Sequence, residues 1–336
     1  MRNGEAIPAD TISANLLTRI LRAAVAEGAS RSSLLASIGL DEARLRNPLN
    51  RLSSQLALRT FRVLERQFGD PAIALRIGEK ASMQNFSDLG FATRLSNNLA
   101  TVIDSNVQLQ ILRQNMVTTT FNPVAKPPTL YWNIQLGDTE DFAPFVEFSA
   151  ATFARLARQV LGEPPLLRRV DFMHAARFDR TRYEDAFECP VRFSMPETKM
   201  EMTARQLFRA LPNANPALLA AATERYSKPA HWMADGKQNT AMSYFYLSNE
   251  IDKSPPTLDR MASSFGMTER SLRRNLVNEG HPFRELLDTV RRDLCALYFQ
   301  EDKRSLSEIA LLLGYSDLSA FTRAHKRWHG VAPSKT

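Results

Sequence analysis

The sequence predicts an α/β (α+β) N-terminal domain followed by an all-α C-terminal domain that carries two helix-turn-helix motifs joined by a linker helix. Three observations lead there. Helical spacing of apolar residues runs through residue 114. The β-branched and aromatic runs MVTTTF (116–121), TLYWNIQL (129–136) and RRVDFM (168–173) then mark strands. Finally, residues 257–276 and 305–325 repeat one pattern: Thr257 matches Ser305, Leu258 matches Leu306, Met261-Ala262 matches Ile309-Ala310, and Phe265-Gly266 matches Leu313-Gly314.

Length and composition bound the answer. The chain has 336 residues, enough for two domains with separate cores, and 44% hydrophobic with 24% charged residues is ordinary globular composition. A formal charge of +7 permits a polyanionic partner. Residues 240–336 hold 14 Lys/Arg against 12 Asp/Glu, so only the placement of arginines can locate such a site. Cys189 and Cys295 form neither a disulfide framework nor a zinc spacing, which fits a reducing compartment. Arg19 and Arg22 interrupt the apolar stretch near the N-terminus, and no run approaches the roughly 18–20 apolar residues of a membrane span. A cytoplasmic protein with no membrane partner is expected.

Taken in order, Ile12, Leu16, Ile20 and Ala23-Ala24 stripe a helix over 12–27 that Gly28 stops. Helices are predicted over 31–38, 53–68, 71–80 and 99–114. Asn122-Pro123 and Pro127-Pro128 punctuate the strands, a helix covers about 144–161, and a short strand lies near 191–193. Asp138, Glu140 and Asp141 read as a solvated loop. LPNANP (211–216) and SKPAHWMADGKQN (227–239) put the domain boundary between 211 and 240. The expected division is 1–225, a linker over 226–239, and 240–336 with motifs at 257–279 and 305–328.

In the first motif Thr257 is an N-cap candidate, Leu258, Met261, Ala262 and Phe265 face inward, Gly266 makes the turn and Thr268 caps the second helix. Burial of Leu272 and Leu276 leaves Arg270, Arg273 and Arg274 outward. In the second, Leu306, Ile309, Ala310 and Leu313 are core, Gly314 the turn and Ser316 the cap. One extra residue precedes Phe321, the counterpart of Leu272, and Ser319, Thr322 and Arg323 face outward. On an isolated helix three exposed arginines would only solubilise. In a paired helix-turn-helix they are placed to read bases, since arginine can pair bidentately with guanine in the major groove. Thr257, Ser305, Lys326 and Arg327 are placed for phosphates. Between the motifs Phe283, Leu286, Leu287, Val290, Leu294 and Leu297 stripe a stiff helix about 25 Å long, able to hold two recognition helices roughly one DNA turn apart.

SEIALLLGYSDLSAFTRAHKRWHGVAPS (307–334) and RSLRRNLVNEGHPFRELL (270–287) resemble the DNA-binding domain of AraC/XylS-type bacterial transcription regulators. GDPAIALRIGE (69–79), SDLGFATRLSNNLATVID (87–104) and FECPVRFSMPETKMEMTARQLFRALPNANP (187–216) are similar to the helix-rich N-terminal arabinose-binding-type domain of one branch of that family. The resemblance implies a front domain that binds a small-molecule effector or forms a homodimer. It implies a back domain that binds double-stranded promoter DNA and contacts RNA polymerase, as an activator. By position, the family's base-reading residues fall on Arg270, Arg273, Arg274, Ser319, Thr322 and Arg323. There are departures: His325 stands where a buried Phe is usual and is read as partly exposed, Leu318 replaces a frequent Pro, and the chain stops at Thr336 where relatives usually continue.

Other chemistry finds little support. No G-x-S-x-G, P-loop or dinucleotide fingerprint occurs, and His325 and His329 lack a third ligand, so no enzyme, metal or cofactor is expected. One alternative is a DNA-tethered chemical sensor with Cys189 as its thiol, and another is an effector-independent dimeric regulator. Tyr131, Trp132, Phe142, Phe145, Phe148 and Phe153 are core or the wall of an effector pocket. Arg94, Arg113 or Arg168 could receive a carboxylate, and nothing in the sequence chooses among them.

Overall fold

A five-stranded sheet in the order β3 (Val117–Asn122), β4 (Thr129–Ile134), β7 (Thr198–Met202), β5 (Leu167–Asp171) and β6 (Val191–Arg192) organises the first half of the chain. The computed structural model describes residues 11–48, 50–80, 96–134, 138–162, 166–212, 214–253, 255–300 and 304–335. Two compact units meet in sequence at Leu219 and Ala220. Residues 87–95 of the resemblance quoted above, with Arg94, lie outside the described residues.

The first unit opens with β1 (Thr11–Ser13), α1 (Ala14–Ala26), α2 (Arg31–Ile38), β2 (Arg51–Ser53), α3 (Gln55–Phe68), α4 (Ile73–Glu79) and α5 (Leu99–Gln108). β1 pairs antiparallel with β2 as a separate ribbon, so the first predicted helix begins two residues late, after Ser13 caps it. β3 (Val117–Asn122) and β4 (Thr129–Ile134) fall on two of the expected strands and pair antiparallel as a hairpin. α6 (Thr139–Leu161), β5 (Leu167–Asp171), α7 (Arg180–Phe187), β6 (Val191–Arg192), β7 (Thr198–Met202) and α8 (Ala204–Leu207) follow. β5 and β6 are parallel and the other pairs of the sheet antiparallel.

The acidic cluster is no loop. Asp138 caps α6, accepting from the Glu140 N–H at 3.2 Å, and Glu140 and Asp141 fill the first turn. Carboxylates are favoured there by the free N–H groups and the positive end of the helix dipole. Phe142, Phe145, Phe148 and a run of alanines then bury α6 in the core of this unit.

The second unit comprises most of α9 (Pro216–Ala234), then α10 (Gln238–Glu250), α11 (Leu258–Ser264), α12 (Glu269–Asn278), α13 (Phe283–Gln300), α14 (Leu306–Leu312) and α15 (Leu318–His329). Residues 226–239, set down as a linker, are the end of α9, a turn and the start of α10. Contacts to the later helices hold them: Lys228 pairs with Asp293 at 2.6 Å, and the Trp232 ring lies 5.5 Å from Tyr244 and 5.0 Å from His281. One apolar core runs through both motifs, from Leu258, Met261, Leu272 and Leu276 by way of Leu286, Val290 and Leu294 to Ile309, Leu313 and Phe321. At 18 residues α13 is about 27 Å long.

Candidate nucleic-acid interface

Each motif is built from a capped helix, a glycine turn and a second capped helix. Thr257 caps α11, accepting from the Arg260 N–H, and Ser305 caps α14 in a full capping box with Glu308. Gly266 and Gly314 turn the chain at φ +66° and +68°, where a side chain would be strained. At Gly314 an added Cβ would also press on Ile251 at 3.1 Å.

The second helices explain the extra residue. Thr268 caps α12, accepting from the Ser271 N–H at 3.2 Å. The cap of α15 is Asp317 rather than Ser316; its carboxylate accepts from the Ala320 N–H at 2.7 Å, and the Ser316 hydroxyl donates to it. The Ala320 N–H foremost, and the Ser316 hydroxyl next, hold the Asp317 carboxyl below its ordinary range. Counted from the true caps the two helices coincide. Leu272 and Phe321, four residues on, are both fully buried. Arg270 and Ser319 stand two residues on, Arg273 and Thr322 five, and Arg274 and Arg323 six.

Arg270, Arg273, Arg274, Ser319 and Arg323 are exposed and Thr322 is half-exposed, so all six outward positions lie on the open face of their helices. Arg273 pairs with Glu269 one turn back, an exposed pair that is weak and readily exchanged. Arg270 and Arg274 form no ion pair among the described residues. Thr322 donates its hydroxyl to the Leu318 carbonyl at 2.8 Å. Lys326 is exposed, and Arg327 reaches Asp288 of α13 at 2.7 Å. Thr257 and Ser305 are exposed with their hydroxyls used as caps, and Ser305 also donates to Glu308 at 2.9 Å.

His325 corrects the expectation of partial exposure. It is 1% exposed, its Nδ1 lies 2.9 Å from the Val331 carbonyl, and its ring stands 5.7 Å from Phe299 and 5.8 Å from Phe321. Eight residues after the cap, it fills the position Leu276 fills in α12, so the core requires it inside.

Spacing alone missed Arg291. It lies on α13, donates to the Leu313 and Gly314 carbonyls and covers the Tyr315 ring, fastening the turn of the second motif to the connecting helix. An arginine directly after buried Val290 in an apolar stripe was the one available sign.

The first unit contains a cavity of about 430 Å³. Trp132, Phe145, Phe148 and Phe153 of the aromatic set line it, as does Arg113, whereas Phe142 is plain core and Arg168 lies on a different surface hollow. Cys189 is 8% exposed, and burial pushes its thiol up to about 12. Burial thus disfavours the thiolate that a chemical sensor would use.

Residues 28–211 match the arabinose-binding N-terminal domain of AraC transcription regulators, and residues 261–336 match a helix-turn-helix domain. The first match covers more than half of the chain, which belongs to this family of DNA-binding transcription regulators and is not an enzyme. Among curated relatives, the ornithine utilization regulator of Pseudomonas aeruginosa is 28% identical over 312 residues, 91% of this chain and 90% of its own. The regulator VirS of Mycobacterium tuberculosis is 31% identical over 188 residues, 56% of this chain and 54% of its own. The crystal structure of the transcriptional regulator CdpR from Pseudomonas aeruginosa aligns over 95% of this chain and 97% of its own, at 19% identity and a TM-score of 0.46. No helix among the described residues is long and apolar enough to cross a membrane.

Proposed function

We propose that α12 and α15 enter successive major grooves of promoter DNA, with Arg270, Arg273, Arg274, Ser319, Thr322 and Arg323 reading base edges. Lys326, Arg327 and the cap residues Thr257 and Ser305 meet phosphates, Arg327 sharing its charge with Asp288. The first unit takes a small-molecule effector and supports a homodimer, and the DNA-bound protein activates transcription through RNA polymerase. The observation that carries this reading is the coincidence of outward positions two, five and six residues after the caps of both helices. Two surfaces with one layout but different side chains at two of the three positions fit two sub-sites that are approached alike and read differently.

The test starts with a binding site enriched from random duplex DNA. Arg273→Ala and Arg323→Ala each lower affinity for it by about tenfold or more, as a lost bidentate base contact does. Lys326→Ala weakens cognate and random DNA alike and reduces the salt slope by about one. Unchanged affinity of both arginine variants at fixed salt removes the assignment. Transcription in vitro from a promoter carrying the site, with RNA polymerase and a metabolite panel, tests activation and effector response.

A further inference from the structure

α12 is fastened at its far end by a carboxylate that α15 lacks. The partner is α10, which is buried along most of its length and holds Asp293 of α13 through the Tyr244 hydroxyl at 2.8 Å, so it belongs to the frame of the second unit. The N-cap residue of α10, Lys237, makes no side-chain hydrogen bond to the helix start. Glu279, the residue that ends α12, takes that place. One carboxylate oxygen accepts from the Asn239 backbone N–H at 3.1 Å and from its side-chain amide at 2.6 Å. The other accepts from the Thr240 backbone N–H and hydroxyl, both at 2.7 Å. Asn275, one turn earlier on α12, donates to the Asn239 side-chain oxygen at 3.4 Å.

The charge is placed for α10 rather than for α12. A carboxylate at the C-terminal end of a helix opposes the helix dipole, whereas one at the N-terminus meets free N–H groups and the positive end. Thr240 is fully buried, so its donors have no water to turn to if the carboxylate is removed. The same stretch is gripped from α9: the Trp232 ring lies 5.0 Å from His281, two residues beyond Glu279. The end of α9 and the start of α10 therefore both close on residues 279–281.

Leu272, Leu276 and Glu279 follow one another at helical spacing on the inward face of α12. Hydrophobic contact is non-directional, so the two leucines hold the helix down without fixing its slide and roll. Four hydrogen bonds to a carboxylate at the end of the same face are directional and fix both. Base reading needs side chains held within about 0.5 Å of their working geometry, and Arg273 lies six residues, about 9 Å, before the anchor. α15 is built otherwise. Eleven residues after its cap, where α12 has Glu279, stands Trp328, its ring centre 6.5 Å from that of Tyr315. Resting on the base-reading role proposed for α12, we infer that Glu279 is a positioning residue of the first motif. It locks α12 to α10 so that Arg270, Arg273 and Arg274 are presented in register, and it has no part in how α15 reads.

The test uses the full chain and the site enriched from random duplex DNA, intact, with each sub-site replaced in turn, and with both replaced. Affinities at fixed salt are measured for wild type, Glu279→Ala, Glu279→Gln, Arg273→Ala and Arg323→Ala. Wherever the sub-site that Arg273 senses is intact, Glu279→Ala should bind about tenfold more weakly than wild type, as with one lost base contact. Where that sub-site is replaced, it should stay within about twofold of wild type. Glu279→Gln keeps one accepting oxygen and should fall between. Melting temperature accompanies each variant, and Glu279→Gln carries the test if Glu279→Ala does not fold. A merely structural role would lower affinity equally on all four duplexes, and that result overturns the inference. So does a loss that follows the sub-site sensed by Arg323, or no loss at all. If the two arginines each sense one sub-site while the Glu279 variants favour neither, base reading stands and the positioning role falls. If neither arginine senses a sub-site, base reading falls and takes the positioning role with it.

Discussion

The guanidinium carbon of Arg291 lies 4.2 Å from the centre of the Tyr315 ring, while its Nε and Nη2 donate to the Leu313 and Gly314 carbonyls, both at 3.0 Å. Those carbonyls end α14 and have no partner further along the helix. One side chain of the connecting helix therefore satisfies the turn of the second motif and presses on the aromatic residue after it. Arg291→Ala removes charge-assisted bonds and a cation–π contact, and we expect a loss of about 2–3 kcal/mol in the second unit. Arg291→Lys restores the charge without the fork that spans two carbonyls and recovers only part. Hydrogen exchange of 305–316 in the full chain should accelerate in the order wild type, Lys, Ala; identical exchange would show that the turn is held otherwise.

The cap assignment makes a separate prediction. Asp317→Ala leaves the first N–H groups of α15 unsatisfied, frays the turn that carries Ser319 and lowers DNA affinity several-fold. Ser316→Ala removes only a hydroxyl that leans on Asp317, so affinity and melting temperature stay close to wild type. The reverse ranking in melting and footprinting would return the cap to Ser316 and undo the shared count between the two helices.

Much of this was legible because the repeat tests itself: Leu258, Met261 and Ala262 recur as Leu306, Ile309 and Ala310, and both sets are core or packed against it. Ser316 misled because a hydroxyl follows the turn in both motifs, and only geometry shows that an adjacent aspartate has taken the capping role. β7 was invisible. TKMEM alternates inward Thr198, Met200 and Met202 with half-buried Lys199 and Glu201, residues of modest strand preference, yet it pairs on both sides within the sheet. Its hydrogen-bonding partners β4 and β5 decide its form, and these are far away in sequence. The cavity was legible only as an undecided choice: Trp132, Phe145, Phe148, Phe153 and Arg113 stood among the candidates, but which of them meet, and that Arg19 joins them, depends on how the first unit folds.

Gly78 shows how closely two helices of the first unit approach. A Cβ added there would stand 2.7 Å from both the Ala151 Cβ and the Phe148 carbonyl oxygen of α6, and 3.1 Å from the Thr152 nitrogen. Backbone atoms cannot swing aside as a long side chain can. Although alanine favours helices more than glycine does, Gly78→Ala should destabilise the chain by about 1–3 kcal/mol through overpacking. It should also shift Phe148 and Thr152, both in the cavity wall. Urea unfolding decides it: a variant as stable as wild type would mean that α4 can move away from α6 at no cost.

Glu147 supplies a pH dependence whose sign can be stated. It is fully buried in α6, accepts from the Tyr183 hydroxyl at 2.5 Å and from Arg177 at 2.9 Å, and has His174 Nε2 at 3.8 Å; Arg177 also binds Glu65. Burial pushes its carboxyl up to about 7, against the pull of Arg177 and Tyr183. A carboxyl raised above its unfolded value near 4.5 takes up a proton on folding, so its contribution is greatest below pH 4.5 and is lost as pH rises through 7. Burial lowers His174, which acts with the opposite sign as pH rises through 6.5. Comparison with Glu147→Gln, which keeps His174, isolates the carboxyl. Glu147→Gln stays neutral like the protonated carboxyl and forfeits the Arg177 ion pair only where wild-type Glu147 is ionised, so the readout is the slope. The stability of the variant relative to wild type should rise between pH 4.5 and 7, the change approaching about 3 kcal/mol above pH 7. Urea unfolding of both chains across that range measures it, and a flat difference would mean that Arg177 and Tyr183 keep Glu147 ionised throughout.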